Sequence, residues 1–229
     1  MDSIIKYRGY SFLADGPMGK RMLRGGYEKE ELSLIKKIPH IENMSVLELG
    51  GCLGVVSTEV NKKLKNPEAH IVVEANPKLI RHLRHNKKLN DCKFKIENAL
   101  VADKHSGIFY SYKKLVAGSA HRKDNREKNK SSHKVNVINL RELMNKHKIS
   151  FDLIILDIEG GELQFLNEIS TNEKYKDLNL KYIMVEIHEH LMRKGFRRKC
   201  FNALRRLGMT RIAKNKNSFL YGKQNNDKS

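Results

Sequence analysis

A glycine-rich turn with a nearby carboxylate has the clearest chemical potential in this chain. Glu48 stands two positions before Gly50, and residues 46–54 read Val-Leu-Glu-Leu-Gly-Gly-Cys-Leu-Gly. Glycines at a strand-to-helix turn let a ligand approach the backbone closely, and they adopt angles that strain other residues. Free backbone amides at the helix start can then face the ligand. The turn therefore predicts a nucleotide-shaped ligand held at Gly50, Gly51, Cys52 and Gly54.

A second carboxylate follows the next apolar segment. Glu74 comes 24 positions after Gly50 and directly after the run His-Ile-Val-Val. At the end of a second strand, a carboxylate can accept hydrogen bonds from both ribose hydroxyls, whether the ligand is NAD or S-adenosylmethionine (SAM). A dinucleotide fingerprint requires G-x-G-x-x-G, and Cys52 stands where its second glycine should be. The spacing therefore disfavours NAD. An acid two residues before the first glycine, Glu48, resembles instead the arrangement of class I methyltransferases, which implies SAM.

Acids and a histidine follow two later apolar segments. Asp157 ends one of them, and residues 186–190 read Glu-Ile-His-Glu-His. Ligands of open α/β sheets sit at the carboxyl ends of the strands, so we expect Asp157, Glu186 and His188 to face the substrate. His188 is the predicted base, because an unshifted imidazole pKa of about 6.5 suits proton transfer.

A metal ion is the other use for these acids. Asp157, Glu159 and Glu186 could hold a divalent cation, because carboxylate oxygens suit hard cations. No fixed ligand spacing supports such a site, so the sequence predicts no metal.

Alternating strands and helices must position these residues. Apolar runs predict strands at residues 46–49, 70–74, 92–96, 107–112, 135–138, 151–157, 181–187, 210–213 and 218–221. Apolar residues spaced about one turn apart predict helices at residues 27–38, 55–64, 76–89, 139–148, 163–169 and 193–207.

Three motifs in this order make the chain resemble the FkbM family of SAM-dependent methyltransferases. The family pattern acid-x-Gly-small-x-x-Gly is matched by residues 48–54, and its E-x-N-P is matched by residues 74–77. Its later D-x-E-G-x-E is matched by residues 157–162, and the resemblance covers residues 27–221. Cys52 departs from the family, in which a small polar residue such as Asn is usual at this position.

The resemblance implies a fold, a cofactor and roles for residues. The implied fold is α/β, with a doubly wound (Rossmann-like), mostly parallel seven-stranded sheet, helices on both faces and an antiparallel last strand. SAM is the implied cofactor, with Glu48 near its amino-acid end, Asn98 near its adenine, and Asp157 near its amino group or the acceptor. The residues predicted to bind SAM are Glu48, Gly50, Gly51, Cys52, Gly54, Glu74, Ala75, Asn98, Ala99 and Asp157.

The resemblance also implies an activity, and the charge leaves alternatives open. Family members typically methylate hydroxyl oxygens of sugars or natural products, so the expected substrate is a polar or anionic compound that bears a hydroxyl. The formal net charge of +19 favours polyanionic partners. Ribose 2′-O-methylation of RNA, including a viral cap, is therefore one alternative, with Asp157 and Glu186 as acids of a Lys-Asp-Lys-Glu tetrad. A SAM-fold scaffold without catalysis is the other.

The chain length of 229 residues suits one domain. We expect an N-terminal flap at 1–26, the methyltransferase domain at 27–222 and a polar tail at 223–229. Residues 113–134 carry eight Lys or Arg against two acids and are predicted to form a basic lid over the substrate. No apolar run approaches the ~20 residues of a membrane span, and the N-terminus lacks a signal-peptide core. A cytoplasmic location is therefore expected, or the host cytoplasm for a viral protein.

Overall fold

The fold was analysed in a computed structural model that describes residues 2–103, 107–111, 118–119 and 131–223. The strands are β1 (Ser3–Tyr7), β2 (Tyr10–Ala14), β3 (Val46–Leu49), β4 (His70–Val73), β5 (Lys95–Glu97), β6 (Ala99–Val101), β7 (Ile108–Ser111), β8 (Gly118–Ser119), β9 (Ser131–Lys134), β10 (Asn136–Ile138), β11 (Leu153–Leu156), β12 (Tyr182–Glu186), β13 (Met209–Asn215) and β14 (Ser218–Lys223). The α-helices are α1 (Gly16–Leu23), α2 (Lys29–Ile35), α3 (Val55–Asn61), α4 (Ile80–Leu89), α5 (Leu140–His147), α6 (Glu162–Thr171) and α7 (Phe196–Arg206).

A seven-stranded sheet forms the centre of the molecule, in the order β13-β14-β12-β11-β3-β4-β5. The strands from β12 to β5 run parallel, whereas β14 is antiparallel to both of its neighbours. This order confirms the predicted α/β class with an antiparallel last strand.

Both faces of the sheet are buried, because each central strand is apolar on both sides. In β11, Ile154 and Leu156 pack with residues of α5, α6 and α7, whereas Leu153 and Ile155 pack with residues of α1, α2 and α3. Alternate residues of a strand point to opposite faces, so a continuous apolar run indicates helices on both sides. The arrangement is the doubly wound one expected from the sequence.

The carboxyl ends of four parallel strands lie side by side. Leu49 pairs with Val73 on one side and with Leu156 on the other, and Leu156 pairs in turn with Val185. The residues that follow these positions therefore meet at one edge of the sheet, where the predicted site was expected.

Several local features differ from the sequence expectations. The helix expected from residue 76 begins at Ile80, because Asn76 closes a turn by accepting hydrogen bonds from the amides of Lys78 and Leu79. The third strand begins at Lys95 and not at residue 92. A further short strand, β6, pairs in parallel with β10 and was not predicted.

The N-terminal segment has more regular structure than its sequence indicated. It forms the hairpin β1–β2 and then α1. The hairpin is attached to α4, because the Leu13 amide donates to Asn86 Oδ1 at 2.6 Å and the Ser11 amide donates to Asn90 Oδ1 at 2.9 Å.

The predicted lid and tail fall largely outside the described residues. Within 113–134 only residues 118–119 and 131–134 are described, and of the tail only Lys223 is. The domain limits at 1–26, 27–222 and 223–229 therefore stay predictions. None of the helices in the described segments combines the length and the apolar character needed to span a membrane.

Candidate active site

The glycine turn after β3 is shaped by the packing of the protein against itself. At Gly50, which has φ +96°, an added Cβ would lie 1.8 Å from the backbone oxygen of Asp157. A Cβ at Gly51 would lie 2.4 Å from Val72 Cγ1, and one at Gly54 (φ +81°) would lie 2.8 Å from Leu83 Cδ1. These glycines were expected to allow close approach of a ligand, whereas in the structure protein atoms already fill the space next to their Cα atoms.

The backbone amides of the turn are also used within the protein. The amides of Gly50 and Gly51 donate to the Val73 oxygen at 2.9 and 3.2 Å, and the Gly54 amide donates to the Gly51 oxygen at 2.7 Å. The Cys52 amide donates to Glu74 Oε2 at 2.8 Å. The amides at these four positions are therefore hydrogen-bonded within the protein, and the expectation that amides at the helix start face a ligand stays a prediction.

Glu74 connects the turn to the second strand. Its two carboxylate oxygens accept hydrogen bonds from the amides of Cys52 and Asn76, at 2.8 and 2.7 Å. Burial raises the pKa of Glu74 to about 7, although these two amide bonds act in the opposite direction. Asn98 donates a hydrogen bond to the backbone oxygen of Glu74 at 2.8 Å and so stabilises the backbone position of this residue.

Glu48 lies beneath the turn. Ser57 Oγ donates to Glu48 Oε1 at 2.8 Å, and His70 Nε2 lies 3.2 Å from Glu48 Oε2. All three side chains are buried. The carboxylate therefore contacts residues that support the turn.

A cavity of about 330 Å³ lies at the carboxyl ends of β3, β4, β11 and β12. This volume is in the range of small-molecule binding sites. The predicted site residues that line the cavity are Gly50, Cys52, Glu74, Ala75, Ala99, Asp157, Glu186 and His188. Four other predicted residues, all in the described part of the chain, do not line it: Glu48, Gly51, Gly54 and Asn98.

His188 is at the centre of the acidic part of this cavity. Its Nδ1 lies 2.8 Å from Glu162 Oε1, which also accepts a hydrogen bond from the Gly160 amide at 3.0 Å. Its Nε2 faces Asp157 Oδ1 at 3.6 Å and Glu186 Oε2 at 3.8 Å. The structure therefore brings the three predicted catalytic side chains together.

Besides Glu74, burial and mutual repulsion raise the pKa values of three carboxyl groups in this cavity. Burial together with Glu186 raises the pKa of Asp157 well above its ordinary value. Burial also raises the pKa of Glu186, to about 7, against the opposing charge of His188. The pKa of Glu28 rises to about 8 by burial and by repulsion from Glu31.

The pKa of the His188 imidazole is raised above its ordinary value. Burial by itself would lower the pKa of His188, but the hydrogen bond to Glu162 and the nearby carboxylates raise it to about 9. An imidazole with this pKa is already protonated at neutral pH and cannot accept another proton. This weighs against His188 as a base acting by itself.

Sequence reasoning missed several residues of the cavity. Tyr27, Glu28 and Glu31 line it from the segment at the start of α2, and Tyr27 Oη lies 3.2 Å from Cys52 Sγ. Glu31 carried a signal, because it is an acid on the apolar face of the predicted helix. No signal in the sequence indicated the contact between Glu162 and His188, since the two residues lie 26 positions apart.

Comparison with known proteins gives a family. A family model described as "Methyltransferase FkbM domain" matches residues 48–207. No curated protein matches the chain.

Several solved structures are similar to the chain at low sequence identity. A protein from Streptococcus mutans described as a SAM-dependent methyltransferase has a TM-score of 0.54 and 10% identity, and the match covers 96% of this chain and 55% of that one. A protein from Pyrococcus horikoshii described as an RNA methyltransferase has a TM-score of 0.48 and 16% identity, over 89% and 84% of the two chains. An O-methyltransferase from Bacillus cereus in complex with S-adenosylhomocysteine (SAH) has a TM-score of 0.43 and 13% identity, over 83% and 77%. The chain thus spans about half the length of the Streptococcus mutans protein.

Proposed function

Because the chain belongs to the FkbM family of SAM-dependent methyltransferases, we propose that it methylates a hydroxyl oxygen of a sugar, a glycan or a related polar metabolite. The observation that carries this proposal is that one cavity is lined both by Glu74, the carboxylate proposed to bind the ribose, and by the cluster of Asp157, Glu186 and His188. The cluster offers groups that can take up the hydroxyl proton.

The charge of the cavity suits the methyl donor. SAM supplies a methyl group on a positively charged sulfonium, and its amino group is also cationic. Seven carboxyl groups line the cavity, whereas Arg21 is the only Lys or Arg among the described residues that line it. An acidic cavity stabilises cations, so the residues present fit this donor.

Individual residues have proposed roles toward the donor. Glu74 is proposed to accept hydrogen bonds from the ribose hydroxyls, and Asp157 to contact the donor amino group or the acceptor. Gly50, Cys52, Ala75 and Ala99 form the cavity wall beside them. Glu48, Gly51, Gly54 and Asn98 contribute indirectly, by supporting the turn and Glu74.

Catalysis in this proposal depends mainly on position. The donor is already activated, so the protein has to align the acceptor oxygen with the methyl group. Carboxylates accept hydrogen bonds from hydroxyls, so Asp157 and Glu186 can hold a polyhydroxylated acceptor. We assign removal of the hydroxyl proton to the cluster as a unit.

The RNA alternative has less support at this site. An acid-lined cavity repels phosphates, and no lysine lines it among the described residues. Lys181, a lysine between Asp157 and Glu186 in the sequence, lies where β12 begins and pairs with Asp152 at 2.9 Å. The basic surface charge remains compatible with an anionic group elsewhere on the substrate.

Transfer of labelled methyl from SAM to separate pools of glycans, RNA and small metabolites tests the proposal. We expect label in glycans or polar metabolites, and Glu186→Gln should lower transfer by about 100-fold or more. Glu173→Gln is the matched control, because that side chain is 86% exposed; it should transfer at the wild-type rate. Label in RNA alone would establish the RNA alternative, and SAM binding without label in any pool would favour the scaffold.

A further inference from the structure

The cluster of Asp157, Glu186 and His188 has the donor atoms and spacing of a cation site. One oxygen or nitrogen from each side chain lies within 4.8 Å of the others. The distances from His188 Nε2 are 3.6 Å to Asp157 Oδ1 and 3.8 Å to Glu186 Oε2. Two atoms that each lie about 2.1 Å from a cation are about 3 Å apart when adjacent and about 4 Å apart when opposite. The observed spacing therefore leaves room for a cation.

The orientation of His188 points independently to a ligand. Its side chain is 7% exposed, and its Nδ1 is hydrogen-bonded to Oε1 of Glu162, a fully buried residue. This bond directs Nε2 into the cluster, where the nearest carboxylate oxygen is 3.6 Å away, and no described residue forms a hydrogen bond with Nε2. A carboxylate on one ring nitrogen commonly fixes the tautomer and orientation in which the other nitrogen binds a metal.

We propose that Asp157, Glu186 and His188 bind one divalent cation in the cavity, which displaces the proton from His188 Nε2 into solvent, with Glu162 as a positioning residue for His188. The two carboxylates favour hard cations, and the imidazole favours transition metals. Mn²⁺ satisfies both, so we expect it to bind more tightly than Ca²⁺. The catalytic meaning of the site rests on the proposed function: a cation beside the acceptor hydroxyl would lower its pKa and orient it.

Binding of Mn²⁺ to the metal-free full chain tests the proposal without any measurement of activity. Free Mn²⁺ is followed by electron paramagnetic resonance while protein is titrated, in the absence of SAM. We expect one Mn²⁺ per chain for the wild type. His188→Ala and Glu186→Gln should abolish this binding, and Glu162→Gln should weaken it by about 10–100-fold, the effect expected for a group that orients a ligand.

His190→Ala is the matched control. The ring of His190 lies 5.9 Å from that of His188, and its side chain is exposed and outside the cluster. This variant should bind Mn²⁺ like the wild type. If His188→Ala does not fold, Glu186→Gln and Glu162→Gln decide the outcome.

Failure of this inference can be distinguished from failure of the proposed function. A wild type that binds no Mn²⁺, or binds it no more tightly than Glu186→Gln does, overturns the cation site. Methyl transfer to a glycan by such a protein in excess chelator would leave the proposed function intact. Conversely, Mn²⁺ bound at the cluster with no hydroxyl acceptor labelled would support the cation site and contradict O-methylation.

Discussion

The backbone oxygen of Asp157 occupies the space in which a side chain at Gly50 would begin, since a Cβ built there lies 1.8 Å from that oxygen. The Asp157 amide in turn donates to the Leu49 oxygen at 3.0 Å. The turn on the donor side and the carboxylate cluster are therefore in direct backbone contact. A shift in one would move the other.

Gly50→Ala should destabilise the protein and not only weaken donor binding. The added Cβ meets a backbone carbonyl, and Gly50 has φ +96°, so both overpacking and strain oppose folding. We expect a loss of more than about 3 kcal/mol in the free energy of unfolding, measured with urea.

Gly195→Ala separates the effect of backbone strain from that of overpacking. Gly195 has φ +85°, and nothing lies within 4 Å of its added Cβ. Strain alone should cost about 1 kcal/mol there. Equal losses for the two variants would contradict the claim that the Asp157 oxygen restricts residue 50.

Donor affinity should depend on pH through Glu74. The ionised carboxylate is the form that accepts hydrogen bonds from ribose hydroxyls on both oxygens, and the pKa of Glu74 in the folded protein is about 7. SAH affinity, measured by calorimetry, should therefore fall as pH decreases below about 7, by up to about tenfold per pH unit. Glu74→Gln should bind more weakly and lose this dependence; a parallel pH profile in the variant would assign the dependence to another group.

The same pKa has an effect on stability. The folded-state pKa of about 7 lies above the ordinary glutamate pKa of 4.5, so the folded protein binds the proton more tightly than the unfolded chain does. The contribution of Glu74 to stability is therefore present below about pH 4.5 and decreases as pH rises to about 7. Urea titrations of the wild type and of Glu74→Gln across this range should differ in slope with pH in that direction.

Glu48 and His70 should be energetically coupled. Both are buried, and they lie 3.2 Å apart. Either His70→Leu or Glu48→Leu leaves a buried polar group without its partner, at a cost of about 1–3 kcal/mol. The double variant should lose less than the sum of the two, with a coupling of about 1 kcal/mol or more. Strict additivity in urea unfolding would show that the contact contributes nothing.

Asn86 should hold the N-terminal hairpin on the domain. Its side chain accepts from the Leu13 amide at 2.6 Å and donates to the Leu53 oxygen at 2.9 Å, so it links the hairpin to the glycine turn. Asn86→Ala leaves these buried groups unpaired, and we expect faster trypsin cleavage within residues 2–14 and lower SAH affinity. His85→Ala, an exposed neighbour on α4, is the control. Cleavage at the same rate in both variants would contradict this role.

The sheet was predictable because its strands are buried on both faces. The runs that form β3, β4, β11 and β12 are mostly apolar, and the residues that follow them lie at one sheet edge by topology alone. α5 was predictable from Asn139, which caps it in a capping box with Glu142.

The remaining features depend on contacts between distant segments. The hairpin β1–β2 is held by Asn86 and Asn90, 73 and 79 positions away from the residues they bind. Strand alternation indicated that Glu48 could lie near His70. Glu48 shares a face of β3 with Val46, and Val46 pairs with His70. No local pattern could show that Glu162 orients His188, since an acid that follows a glycine turn reads as the start of a helix.

The central claim is that the donor is held by Glu74 with its reactive group facing the cluster of Asp157, Glu186 and His188. A crystal structure of the full chain with SAH tests it most directly. We predict the ribose hydroxyls on the Glu74 carboxylate and the sulfur directed toward the cluster. SAH bound elsewhere, or an empty cavity at saturating SAH, would contradict the account.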